Sequence, residues 1–154
     1  MNRMEEFTQS WLKHRTVLNQ LLTLIDNEHM YFKPWEGAYT LSDLALHIAS
    51  SMDMFVQAIK NGSFSMSGLP PYETMDDVRK IVLEFTEKTK QDLELLNELH
   101  LEKEIAFNHF YASGKTWLEN ARDHEIHHKG QLFTYARMIG VEKLPFFIIQ
   151  PDRR

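Results

Sequence analysis

The sequence contains no cysteine. That absence removes disulfides, thiolate metal ligands and a cysteine nucleophile at once. Any metal must be held by His, Asp, Glu or water, and any thiol chemistry must bring its thiol in as a substrate. Long apolar runs are missing too. Nothing approaches the roughly 18 apolar residues of a membrane span, and the N-terminal MNRMEEFTQSW lacks the apolar core of a signal peptide. No membrane contact is expected, and a cytoplasmic location is the default reading. A basic stripe is also lacking. The 17 Lys and Arg are scattered among 22 Asp and Glu, and the net charge of −5 gives no footprint for nucleic acid.

What is present fits one soluble domain spanning 1–154. The chain has 154 residues, 43% of them hydrophobic and 25% charged, enough to bury a core without staples. Four amphipathic stretches separate. The first runs from about Asn2 to Glu28, with Phe7, Trp11, His14, Leu18, Leu21 and Ile25 on one face, and the KPWEG segment at 33–37 breaks it. The second opens on Thr40 as N-cap, with Asp43 placed to complete a capping box, and ends at Asn61-Gly62. Its apolar stripe is Leu41, Leu44, Ile48, Met52, Phe55 and Ile59. A loop rich in Gly, Ser and Pro follows. The third helix is expected from Met75 to Leu99, and the fourth from Lys115 to Ile139, with Gly140 beyond its end. Residues 100–113 are ambiguous. Glu104 to Phe107 can be read as extended, but no convincing strand partner is evident. The expected fold is all-α, a four-helix bundle. The apolar run 144–149, LPFFII, either covers an open end of the bundle or joins a dimer interface.

The chemistry concentrates in DHEIHHKGQL, residues 123–132. His124 and His128 lie four apart, so their rings fall on one helix face, one turn from each other. That spacing lets two imidazoles grip one ion. His47, mid-helix among Leu44, Ile48 and Met52, is the natural third ligand. His127 points elsewhere. Three imidazoles leave coordination positions open for water or substrate. The plain alternatives are a surface histidine pair and a hydrogen-bonded core histidine. Two other motifs overlap the same residues. His124 to His128 spells HExxH, the zinc-protease signature, but no downstream histidine follows to serve as third ligand. Glu125 and His128 spell ExxH, the di-iron motif, but a second ExxH is absent and Asp26 to His29 is a partial match at a helix end.

The order of these features resembles the DinB-like family, the DinB/YfiT superfamily. A helical first segment and a Pro34-Trp35 turn lead to TLSDLALHIA and then, far downstream, to H-x-x-x-H-x-G-Q-L. The likeness covers nearly the whole chain. It implies a four-helix bundle holding a divalent transition metal through His47, His124 and His128, with Zn foremost and Ni or Fe as alternatives. It also implies a homodimer. Some members act as metal-dependent transferases that activate a low-molecular-weight thiol such as bacillithiol, and others are grouped as hydrolases. The resemblance therefore implies an enzyme of the thiol S-transferase or hydrolase type acting on a small molecule. The competing reading is a metal-binding stress protein without turnover. Glu125 is a candidate base or ligand-orienting group beside His124. His14, interrupting an apolar stripe, is a candidate proton shuttle or substrate contact. Asn120 and Asp43, each one turn before a ligand, are candidates to support the ligand rings, although capping is the simpler account of Asp43.

Overall fold

A computed structural model describes residues 1–154. Helix α1 (Arg3–Leu22) starts from a capping box, the Asn2 side chain accepting from the Glu5 amide while Glu5 reaches back. It stops six residues before the expected Glu28. Arg79 supplies the reason: its Nη1 donates to the carbonyls of Leu22 and Ile25, both at 3.0 Å, satisfying acceptors that a longer helix would have used. A 3₁₀ turn, Asn27–His29, then leads through the KPWEG segment to α2 (Leu41–Asn61). Thr40 caps α2 as expected. Asp43 does not complete a box, because its carboxylate accepts from the Tyr72 hydroxyl at 2.9 Å. Gly62 ends α2 in the left-handed conformation, φ 84°, where a side chain would be strained.

Helix α3 (Met75–Glu94) ends short of Leu99, because Asn97 caps a separate short helix, α4 (Glu98–Glu102). The ambiguous segment resolves into an antiparallel hairpin, β1 (Glu104–Phe107) and β2 (Phe110–Ser113), paired from Glu104↔Ser113 to Phe107↔Phe110. This corrects the expectation that no strand pair exists. Its two-residue turn, Asn108-His109, contains no glycine. Asn108 takes φ 53° by itself, a conformation Asn tolerates better than most residues. The hairpin is anchored by Ile105, which is buried and whose carbonyl accepts from the Trp117 indole at 2.8 Å. Helix α5 (Gly114–Met138) completes the four-helix bundle.

Helix α2 packs on both α3 and α5, and α1 closes the bundle against the same two. The apolar core divides into two clusters. Between them lies a polar layer at mid-height, with His14 and Arg15 from α1, Ser51 from α2, Thr86 and Thr89 from α3, and Glu125 and Lys129 from α5. The apolar tail covers the bundle only in part, with Leu144 packed against the core. Phe146 and Phe147 stay exposed, and the tail is pinned by backbone, with the Phe147 carbonyl accepting from Lys129 and the Ile149 amide donating to the Lys13 carbonyl. None of the helices is long and apolar enough to cross a membrane.

Candidate metal centre

His47 comes from the middle of α2, and His124 and His128 come from consecutive turns of α5. Because α2 and α5 pack along their length, the three rings meet between them. One ligating nitrogen from each lies within 4.8 Å of the others, and His47 Nε2 stands 3.2 Å from His124 Nε2. Nitrogens sharing a tetrahedral ion at about 2.0–2.1 Å would be roughly 3.3 Å apart. Ring centroids are separated by 4.9, 4.8 and 4.4 Å and the planes cross at 67 to 81°, so the rings converge edge to face rather than stacking.

Hydrogen bonds on the far side of two rings select which nitrogen faces inward. His128 Nδ1 donates to Gln131 Oε1 at 2.7 Å, leaving Nε2 with its lone pair. Gln131 is itself steadied by His127, whose Nε2 accepts from the amide nitrogen at 3.5 Å. Ser51 Oγ lies 3.4 Å from His47 Nδ1, where it can accept that ring's proton when Nε2 is the ligating nitrogen. Tyr39 stacks on His47 with centroids 4.9 Å apart and planes at 21°, and its carbonyl accepts from the Tyr135 hydroxyl at 3.0 Å. Burial, and then the neighbouring His128, push the His47 pKa below its ordinary value. Burial, followed by His128, His47 and His127, lowers His124 to about 4. Both are neutral at pH 7, the form a metal binds.

The remaining candidates lie elsewhere. Glu125 is not a base at the histidine cluster. Its carboxylate is buried and fully engaged, accepting from Trp11 Nε1 at 2.9 Å, Arg15 Nη2 at 2.7 Å and Arg15 Nε at 2.8 Å. The turn of about 100° from His124 to the next residue carries it to the α1 side of the helix. Both motifs that overlapped the histidines lose their carboxylate to this pair. His14 also faces this second polar group. Its Nδ1 accepts from Lys129 Nζ at 2.8 Å, and burial, with Lys129 and Arg122 nearby, lowers its pKa to about 4. Asn120 is exposed, and Asp43 serves Tyr72.

Ser51 and Gln131, four residues past His47 and three past His128, were visible in principle from helical spacing. Tyr39 sits in a loop, where periodicity carries no signal. Two recesses adjoin the three rings. One, of about 340 Å³, is lined by His47, His124, Phe55 and Phe107 among others. The other, of about 480 Å³, lies beside His128 under Trp35, Tyr39 and Tyr135. A larger depression of about 800 Å³ between the start of α1 and the end of α3 contains no cluster of ligating side chains.

The DinB family model matches residues 1–150. The uncharacterised protein YjoA of Bacillus subtilis is 35% identical over 150 residues, 96% of this chain and 97% of that protein. The crystal structure of YjoA, a DinB-like protein, superposes with a TM-score of 0.83 at 33% identity, over 94% of this chain and 99% of the other. A DinB-like protein from Bacillus cereus superposes at 0.78 with 18% identity, over 92% and 95%, a likeness of fold. On the family match and the YjoA relationship, this chain belongs to the DinB family.

Proposed function

We propose that the chain is a metal-dependent enzyme acting on a small molecule, of the thiol S-transferase or hydrolase type, with His47, His124 and His128 holding one divalent transition metal. The observation that carries this reading is the convergence of three imidazoles beside two open recesses. The donor set suits the group. All three ligands are nitrogen, two are oriented by Ser51 and Gln131, and no carboxylate completes a closed shell. A bound Zn²⁺ or similar ion lowers the pKa of a coordinated water or thiol toward neutrality. The residues around it have separate tasks. Ser51 and Gln131 fix ring orientation, Tyr39 shields one face of His47, and the recesses admit reactants. With no cysteine in the chain, a sulfur nucleophile is a co-substrate.

Elemental mass spectrometry on untagged protein tests the centre. Wild type is expected to hold about one metal per chain, and His47→Ala, His124→Ala and His128→Ala to lose it while remaining folded. No stoichiometric metal in the wild type, even after refilling with Zn²⁺ or Ni²⁺, would sink the proposal.

A further inference from the structure

The recess between α2 and the β1–β2 hairpin lies directly beside the histidine cluster. Met54, Phe55, Met66, Phe85 and Phe107 give it phenyl and thioether surface, and His47 and His124 open into it. Besides the two imidazoles, its polar groups are three serine hydroxyls, from Ser50, Ser51 and Ser67, and one carboxylate, Asp53. That carboxylate is already matched. Asp53 Oδ1 accepts from Lys88 Nζ at 2.6 Å and from Gln57 Nε2 at 3.5 Å. Lys88 also reaches Asp92 at 3.2 Å, and Asp92 accepts from Lys60 at 3.3 Å and from Gln57 at 2.6 Å. Two carboxylates and two ammonium groups therefore neutralise one another along the α2–α3 side. A cationic ligand would find the one lining carboxylate, Asp53, already matched by Lys88, an anionic one would be repelled by it, and either would lose hydration against phenyl rings. At about 340 Å³ the space lies at the small end of ligand pockets, matching a one-ring molecule better than a nucleotide or a peptide.

We propose that this cavity selects the substrate of the centre and takes a small, neutral, apolar molecule, an aryl or alkyl group whose reactive end points to His47 and His124. Aromatic edges and methionine sulfur make favourable contacts with such a ring. The second recess, beside His128 under Trp35 and Tyr39, then serves the other reactant. The chemistry rests on the metal-centre reading above, whereas the binding step does not require the metal.

Each recess carries its own reporters, Met54 and Met66 in the first and Trp35 and Met138 in the second. Full-length protein labelled at the methionine methyl groups is titrated with toluene and benzyl alcohol, with benzylamine and benzoate as charged counterparts. The neutral probes are expected to shift the Met54 and Met66 signals saturably and to leave Met138 and the Trp35 fluorescence unmoved. The charged probes should bind at least tenfold more weakly. The pattern should persist in metal-free protein, so loss of the metal reading would leave this result standing, and the reverse. Ser50→Trp, which fills the cavity, should abolish the shifts, and Phe107→Ala should weaken binding several-fold. Tighter binding of benzylamine than of benzyl alcohol, shifts at Met138 in place of Met54 and Met66, or no saturable shift in the wild type would each overturn the proposal, whether or not the variants fold.

Discussion

The clearest division of labour lies between adjacent residues, His124 and Glu125. One turns toward the histidine cluster, and the other closes a buried ion pair with Arg15, whose side chain has no exposed surface. The buried arrangement includes Arg15 stacked 4.9 Å over Trp11 and donating to Thr86 at 3.2 Å. Removing one partner of such a pair leaves a desolvated charge and typically costs about 3–5 kcal/mol, whereas replacing both with apolar groups of similar volume is often neutral. Glu125→Gln is therefore expected to lower unfolding stability by about 3 kcal/mol or more in urea titrations, while the folded protein keeps its metal. The double variant Arg15→Met/Glu125→Leu should recover most of that loss. A Glu125→Gln protein of wild-type stability that cannot hold metal would reverse the assignment. Gln131 behaves oppositely. It is exposed, so Gln131→Ala should change stability by less than about 0.5 kcal/mol. It should weaken metal affinity by roughly 10–100-fold in competition with a chelator, because His128 loses its orienting acceptor. The three clustered histidines were readable from spacing and family likeness. The fate of Glu125 was not, because a sequence shows the angle between neighbours on a helix but not which helix waits on each side.

At the scale of elements, periodicity located the four long helices and placed the ends of α2 and α5 to within a residue, but overran the C-terminal ends of α1 and α3. Helix α1 stops where Arg79 of α3, 54 residues beyond Ile25, captures its last carbonyls, a long-range effect invisible to local pattern. The hairpin escaped notice because its Asn108-His109 turn lacks the usual glycine and one of its strands is largely exposed. Glycines give a test of how tightly the hairpin is tied to the bundle. A Cβ on Gly114, at the junction of β2 and α5, would stand 2.2 Å from the His100 carbonyl oxygen and 3.2 Å from Ile59 Cγ2. Backbone on one side and core on the other cannot both yield, so Gly114→Ala should cost about 2–3 kcal/mol. Gly130, in the interior of α5, has no atom within 4 Å of such a Cβ. There Gly130→Ala should stabilise by about 0.5–1 kcal/mol through helix propensity. Thermal or urea midpoints of the two variants should move in opposite directions, and a tolerated Gly114→Ala would mean that the hairpin is loosely attached.

For the molecule as a whole, the polar layer between the two apolar clusters ties stability to pH. His14 is held neutral, its pKa lowered to about 4 by burial and by Lys129 and Arg122. Lys129 is lowered to about 8, mainly by burial. Both are bases whose folded pKa lies below the unfolded one. Between the two values the unfolded chain binds more protons, so stability rises with pH. For His14 the window runs from about 6.5 down to about 4. The fold loses stability as the pH falls through it, by an amount on the order of 3 kcal/mol if the whole shift is expressed. For Lys129 a further gain comes above about 8, as the unfolded lysine stays protonated and the folded one does not. Urea titrations of metal-free protein at pH 7, 5.5 and 4.5 should therefore show a falling midpoint. His14→Gln should flatten that fall, because the amide can still accept from Lys129 but takes up no proton. The comparison isolates His14 from His47 and His124, which are lowered too and titrate in both proteins. An unchanged acid limb in His14→Gln would show that the buried contact between α1 and α5 is not what the proton disrupts.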